Sequence, residues 1–182
     1  MIPLRPSSAA IWTKCAAMPR ITAQVPDEPP SDPAREGTCA AWVAEMVITG
    51  AVPDAATLLN EPHPENGWVV DAAMAYHIQN YVDMLRSRGG TVDAERTVSL
   101  NEMIRGTPDA FGVATNDELY VDDLKYGYEI VESTTPQVTI YAGALFRLLQ
   151  RKRVHIKRVH LGIYQPRAYH PAGVHRMRSL WP

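Results

Sequence analysis

A strand–turn–strand pattern in the middle of the chain limits its fold more than any other feature of the sequence. Residues 106–114 and 118–125 are each typical of a β-strand, and Thr115-Asn116-Asp117 between them is typical of a tight turn. Two strands joined by so short a turn pair with each other in antiparallel fashion. The pattern therefore predicts a β-hairpin over residues 106–125.

Helical and strand-like patterns surround this hairpin. Apolar residues at helical spacing predict helices, and alternation predicts strands. Helices are expected at 39–49, 69–88 and about 134–150, after a short one ending before Pro19; further strands are expected at 91–100 and 155–164, and loops at 19–36 and 50–68. The order α-α-β-β-β-α-β predicts an α/β fold in a single domain over residues 1–182. The inner stripe of helix 69–88 is expected to contain Ala73, Tyr76, His77, Tyr81 and Met84.

Three charged side chains on the hairpin can carry chemistry. Because side chains alternate along a strand, Asp123 and Lys125 lie on one face, and pairing through the turn can bring Asp109 close to Asp123. Clustered carboxylates suit Mg²⁺ or Mn²⁺, and an ion held there can activate a water and stabilise charge on a phosphate. The lysine can position that water or neutralise the developing charge. The alternative is structural, with Asp109 marking a turn and the other two forming a surface pair.

The charge distribution favours a polyanionic partner. The net charge is −2, but residues 147–182 hold nine of the 18 basic residues and no Asp or Glu, so they carry +9 while residues 1–146 carry −11. A basic end on an acidic body is typical of a protein that binds a polyanion at the first and a cation in the second. A solvated basic tail is the alternative interpretation.

Other sequence features favour a cytoplasmic protein. No apolar stretch is long enough to predict a transmembrane helix, and residues 1–14 lack the pattern of a signal peptide. Cys15 and Cys39 form neither a disulfide framework nor a zinc motif, which is typical of a reducing compartment.

The wider pattern resembles the PD-(D/E)XK nuclease superfamily, in particular its RecB-like branch from phages and prophages. The most specific segments are Gly106-Thr107-Pro108-Asp109-Ala110 and Asp123-Leu124-Lys125-Tyr126-Gly127. Supporting segments occur in the same order along nearly the whole chain: Ser7-Ser8-Ala9 with Trp12 and Cys15, Glu36-Gly37-Thr38 with Glu45, Gln137 with Tyr141, and Gln165-Pro166-Arg167. The resemblance implies a restriction-endonuclease-like core, in which helices flank a central mixed β-sheet and the active site lies on its second and third strands.

The resemblance also implies a ligand set. Asp109 and Asp123 would bind Mg²⁺ or Mn²⁺, with Glu45 from its helix and the backbone carbonyl of Leu124 as further ligands, and Lys125 would be catalytic. The alternative interpretation is that Glu45 is an ordinary solvated residue of its helix, which the apolar residues around it disfavour.

Two further residues would lie beside this centre. Gln137 and Tyr141 are four apart and share one helix face, where the resemblance implies that they contact the substrate or orient the lysine. A tyrosine on an inner helix face can also be a core residue.

Two departures from the family pattern bear on the metal. Many relatives have a histidine four residues before the helix glutamate, whereas this chain has Ala41. The site is therefore expected either to use carboxylates only, as lambda-type exonucleases do, or to be weakened. With two cysteines and none near the C-terminus, no iron–sulfur cluster is expected.

Together these features predict a phage-type DNA exonuclease that acts on duplex ends. Phosphate contacts are expected from Arg147, Arg151, Lys152, Arg153 and Arg167. The resemblance implies a homo-oligomeric ring, a single-strand annealing protein as partner, and a phage or prophage gene expressed in the bacterial cytoplasm. No membrane association is expected, because the sequence has no apolar stretch long enough to span a bilayer. The alternatives are an endonuclease of the same fold, a non-catalytic DNA-binding protein with a degenerate nuclease fold, and a hydrolase of small phosphoesters.

Overall fold

A five-stranded mixed β-sheet with helices on both faces forms the centre of the structure, a computed structural model that describes residues 4–26 and 28–180. The prediction of an α/β fold with a mixed sheet flanked by helices is confirmed. Within the described ranges, no helix is both long and apolar enough to cross a membrane. The helices and strands are α1 Ala9–Trp12, α2 Met18–Thr22, α3 Asp32–Ile48, α4 Ala72–Ser87, β1 Asp93–Ala94, β2 Val98–Ser99, β3 Arg105–Gly106, β4 Ala110–Val113, β5 Glu118–Leu124, α5 Pro136–Arg151, β6 Arg158–Tyr164 and β7 His175–Leu180.

The strand order of the main sheet is β1-β4-β5-β6-β7, and β2 pairs with β3 in a separate two-stranded sheet. Strands β5 and β6 are parallel, and α5 makes the crossover that parallel neighbours require. The other pairs of the main sheet are antiparallel. The predicted hairpin is confirmed, because Ala110 of β4 pairs with Asp122 of β5 and Val113 pairs with Leu119.

Each face of the main sheet contributes to its own apolar layer. On one face, Leu119 and Val121 of β5 are buried with Val138, Tyr141 and other residues of α5. On the other face, Ala110, Leu124 and Tyr164 are buried with the apolar sides of α3 and α4. Strand β5 is therefore covered on both sides, and any polar side chain on it must find a partner inside the protein.

Three helix N-termini have local causes in the sequence. Thr135 accepts a hydrogen bond from Val138 N–H at the start of α5, and Asp71 accepts one from Met74 N–H at the start of α4. Helix α3 begins at Asp32, not at Cys39 as predicted. The signal was present in the sequence, since Ser31 stands at the N-cap position with Pro33 in the first turn.

The predicted inner stripe of α4 is partly wrong. Tyr81 is buried as predicted, but Ala73 is exposed and Tyr76 is 67% exposed. The buried residues are Met74, Ala75, Ile78, Tyr81, Val82 and Leu85. The helix is rotated by about one residue from the prediction, which turns His77 toward Tyr126 at the edge of the core.

The predicted strands and helices need four further corrections. The segment 91–100 is two short strands in different sheets, β1 and β2, separated by Glu95 at a positive φ of 49°. The segment 106–114 likewise divides into β3 and β4. Strand β7 and the short helix α2 were not predicted, because neither shows a clear local periodicity.

Candidate active site

The hairpin places two carboxylates side by side. Asp109 immediately precedes β4, whose first residue pairs with Asp122, so Asp109 lies across from Asp123 on β5. The Leu124 N–H donates a 2.7 Å hydrogen bond to Asp109 Oδ2, which attaches this partly buried side chain to the end of β5. The predicted closeness of Asp109 and Asp123 thus follows from the register of the two strands.

Asp123 lies deep in the protein beside a lysine. It is 2% exposed, and its Oδ2 lies 2.7 Å from Lys125 Nζ. Its Oδ1 accepts no hydrogen bond from any residue that the structure describes. A buried carboxylate oxygen without a partner is costly, because it has lost its hydration without replacement.

The two carboxylates destabilise each other's charge. Burial and the nearby charge of Asp123 raise the pKa of Asp109 to about 8. Burial also raises the pKa of Asp123, although Lys125 opposes this change. Burial would lower the pKa of Lys125, but the charges of Asp123 and Asp109 outweigh it and raise that pKa. With both acids ionised, the pair would hold more negative charge than its single lysine neutralises, so Asp109 tends to keep its proton unless a cation binds between the carboxylates.

Helix α5 completes this side of the site. Tyr141 is buried beside Gln137, with which it shares a hydrogen bond, and burial and the charge of Asp109 raise its pKa to about 12. Gly106 allows this approach, because a Cβ there would lie 3.1 Å from the Tyr141 ring. Tyr141 thus lies near Asp109 with Gln137 beside it, and the roles expected of the two residues toward substrate or lysine stay predictions.

Glu45 lies in an adjacent cleft. This cleft, of about 400 Å³, is lined by Ala41, Glu45 and Trp42 of α3, by His63, and by Glu95. Burial and the charge of Glu45 raise the pKa of Glu95, whose charge in turn acts on Asp109. The charge of Glu45 thus affects the carboxylate pair indirectly, through the charge of Glu95.

No three His, Cys, Asp or Glu side chains of residues 4–26 and 28–180 converge closely enough to enclose an ion by themselves. The structure gathers Asp109 and Asp123 and leaves Glu45 apart, so a metal role for Glu45 stays a prediction. The same holds for the Leu124 carbonyl, whose own N–H lies at the site.

Sequence reasoning missed a second polar cluster on the opposite face of β5. Asp122 is 1% exposed and accepts hydrogen bonds of 2.5 and 3.1 Å from Arg88 of α4, while His175 Nε2 of β7 lies 3.0 Å from its Oδ1. Burial would raise the pKa of Asp122, but the hydrogen bonds from His175 and Arg88 lower it. Gly162 makes room for the cluster, since a Cβ there would lie 2.0 Å from Asp122 Oδ1.

The predicted phosphate-binding residues fall into two groups. Arg147 and Arg151 lie together in a groove along α5, and Lys152 and Arg153 are exposed just beyond it. Arg167 is different, because its guanidinium lies 2.6 Å from Glu36 and stacks on the rings of Tyr126 and Tyr128. Its charge is already compensated, which argues against the predicted role of Arg167 on DNA.

The fold and the site define the molecule as an α/β protein with a buried carboxylate pair and a lysine on its central hairpin. Residues 3–176 match the family model described as "Protein of unknown function (DUF2800)". The match spans most of the chain, and the protein belongs to the DUF2800 family.

Proposed function

We propose that this protein is a Mg²⁺- or Mn²⁺-dependent DNA nuclease with a restriction-endonuclease-like core of the PD-(D/E)XK superfamily. The observation that carries the proposal is the convergence of Asp109, Asp123 and Lys125 at one end of the hairpin, with Gln137 and Tyr141 beside them. Two acids and an amine at such a place match the chemistry of phosphodiester hydrolysis.

The residues present fit a divalent cation. Asp123 has a buried oxygen without a hydrogen-bond partner among the described residues, and the raised pKa of Asp109 shows that a second negative charge is disfavoured there in the absence of a cation. Asp109 and Asp123 would hold the ion, and hard oxygen ligands favour Mg²⁺ or Mn²⁺. When bound there, such an ion supplies an activated water and positive charge next to the phosphate.

Lys125 and Tyr141 supply the remaining chemical groups of the site. Lys125 stays protonated at neutral pH, because Asp123 and Asp109 raise its pKa. Its ammonium therefore acts as a fixed positive charge, which holds Asp123 and stabilises negative charge that develops on a phosphate. Tyr141, protonated for the same electrostatic reason, offers an O–H donor at the edge of the pair.

We favour an exonuclease that acts on duplex ends, working with a single-strand annealing protein and assembled as a ring. This finer assignment is supported by the resemblance of the hairpin segments to the RecB-like branch. An endonuclease of the same fold is the main alternative.

A cleavage assay on two DNA forms tests the proposal. Purified protein is incubated with Mn²⁺ and either linear or covalently closed circular duplex. Loss of the linear form alone is expected for an exonuclease, and nicking of the closed circle would indicate an endonuclease. The Asp123→Asn variant should abolish cleavage, whereas Asp117→Asn, an exposed acid in the turn of the same hairpin, is the matched control.

One result would remove the enzymatic proposal. If wild type and Asp123→Asn both fail to cut while both bind DNA, a non-catalytic DNA-binding protein becomes the better description. Ala41 and the lack of a third converging ligand among the described residues are the observations that favour this second candidate.

A further inference from the structure

A groove with three arginines lies between the C-terminal part of α5 and the segment 99–105, which ends at the first residue of β3. It has a volume of about 840 Å³ and is lined by residues 99–103 and by Arg105, Arg147 and Arg151. The sequence placed Arg147 and Arg151 in the basic C-terminal region, 42 and 46 residues after Arg105. Only the fold brings Arg105 to them.

These three guanidinium groups are not neutralised by ion pairs with residues 4–26 or 28–180. By contrast, Arg88 is paired with Asp122 and Arg167 with Glu36. The groove does contain one acid, Glu102, so its lining carries three positive charges and one negative charge. Like charges gathered without partners favour an anionic ligand.

Hydrogen bonds hold one wall of the groove in place. Arg105 lies on β3, where it pairs with Ser99 of β2, and Arg147 Nη1 donates a 2.9 Å hydrogen bond to Leu100 O. Asn101 Oδ1 accepts hydrogen bonds from the N–H groups of Met103 and Ile104, which closes the loop between the strands. A preformed wall of this kind loses little entropy when a ligand binds.

The groove and the carboxylate pair are close along the chain at Arg105. Arg105 is four residues before Asp109, so their Cα atoms are at most about 14 Å apart. One strand of DNA has a phosphate about every 3.4 Å of axis, so this span covers at most about four nucleotides. Arg147 and Arg151 are one helical turn apart, which adds about 6 Å further along α5.

We propose that this groove binds the sugar–phosphate backbone of the DNA strand that enters the active site, with Arg105 as the phosphate contact nearest to Asp109. The inference rests on the proposed nuclease function and specifies where its substrate lies. Guanidinium groups suit phosphate oxygens because each presents a planar fork of donors. The contacts reach the backbone and not the bases, so binding depends little on sequence.

Salt-dependent binding tests the groove. The Kd of a fluorescein-labelled 20-base-pair duplex is measured by anisotropy in EDTA at several NaCl concentrations. Each of Arg105→Gln, Arg147→Gln and Arg151→Gln should raise Kd about threefold to tenfold and lower the slope of log Kd against log salt by about 1. The matched control is Arg178→Gln, which removes an exposed arginine of the same basic region on edge strand β7 and should change Kd less than about twofold. Equal losses in all four variants, or none in the groove variants, would overturn the inference.

A charge-preserving variant and a modified DNA sharpen the test. Arg105→Lys should keep the wild-type salt slope. A neutral methylphosphonate link, moved one position at a time along the strand, should weaken wild-type binding at one to four linkages from the cut. On DNA with the methylphosphonate at that position, Arg105→Gln should weaken binding no further, because the variant and the modified DNA each remove the same arginine–phosphate contact. Additive losses at every linkage would contradict a direct contact.

The two proposals fail separately. If Mn²⁺ supports no cleavage but the groove variants lose affinity as expected, the nuclease function is wrong and the binding groove stands. If cleavage occurs while the groove variants bind and cut as wild type does, the function stands and the groove is wrong.

Discussion

Asp122 and Asp123 are neighbours on one strand, yet the fold gives them opposite environments. Asp122 faces α4, where Arg88 and His175 satisfy its oxygens and lower its pKa. Asp123 faces α5 and has Lys125 as its ion-pair partner, while its Oδ1 has no hydrogen-bond partner in the described part of the chain and its pKa is raised. Both are almost fully buried, so burial alone does not separate them.

The difference teaches how a structural carboxylate can be distinguished from a candidate ligand. A buried charge that is fully hydrogen-bonded links elements together, and here Asp122 links α4, β5 and β7. A buried charge left partly unsatisfied beside another acid has a cost that a ligand can remove. Four predictions test this contrast, in order of decreasing expected effect.

Cleavage should depend on one aspartate and not on the other. Asp123→Asn should lower the single-turnover rate on labelled duplex with Mn²⁺ by about 10³-fold, because it removes a preorganised charge at the reacting phosphate. Asp122→Asn, assayed well below its melting temperature, should stay within about threefold of wild type. Similar losses in the two variants would show that the contrast has no catalytic meaning.

Folding stability should depend more on Asp122 than on Asp123, the reverse of their order in cleavage. Asp122→Asn leaves the guanidinium of Arg88 without a counter-charge, and breaking a buried pair in this way costs about 3 kcal/mol. For a chain of this size the melting temperature should fall by roughly 6–12 °C. Thermal unfolding followed by circular dichroism measures it, with Asp117→Asn as the control, since its exposed pair with Lys157 contributes little. A change under about 0.5 kcal/mol would mean that the Asp122 cluster is unimportant for stability.

A bound metal ion should stabilise the fold through Asp123 and not through Asp122. Mn²⁺ at about 100 times its Kd should raise the free energy of unfolding by about 2.7 kcal/mol. Asp122→Asn should keep this increment and Asp123→Asn should lose most of it. Differential scanning fluorimetry with and without EDTA is the measurement, and an equal increment in both variants would place the ion elsewhere.

Asp109 and Asp122 should also make folding stability depend on pH, each in a different pH range. The pKa of Asp109 is raised to about 8, so the folded protein keeps a proton there that the unfolded chain has already released. Without metal, stability should therefore fall as pH rises from about 4 to about 8, by about 1–2 kcal/mol, and Asp109→Asn should flatten this slope. The pKa of Asp122 is lowered, so its contribution is complete above about pH 4 and is lost as pH falls below that value. Urea titrations at each pH measure both slopes, and a metal-free stability that rises between pH 5 and 8 would contradict the assignment to Asp109.

Much of the site could be predicted because its signals are local. Alternation alone puts Asp123 and Lys125 on one face, and a turn at residues 115–117 brings Asp109 across from them. Helix α5 likewise follows from Thr135, Pro136 and the apolar spacing after them. The early start of α3 at Asp32 was readable from its N-cap signal, although it was not predicted.

Tertiary structure decided what depends on residues far apart in the chain. The pairing of Asp122 with Arg88 and His175 joins residues 34 and 53 positions away, and no periodicity indicates it. The pairing of Arg167 with Glu36, and the meeting of Arg105 with Arg147 and Arg151, are of the same kind. The sequence by itself determined the β4–β5 hairpin, its turn and the face that Asp123 and Lys125 share, because these depend on neighbouring residues. Which charges become neutralised and which stay open for a ligand depends on how the helices dock on the sheet, and only the folded chain settles that.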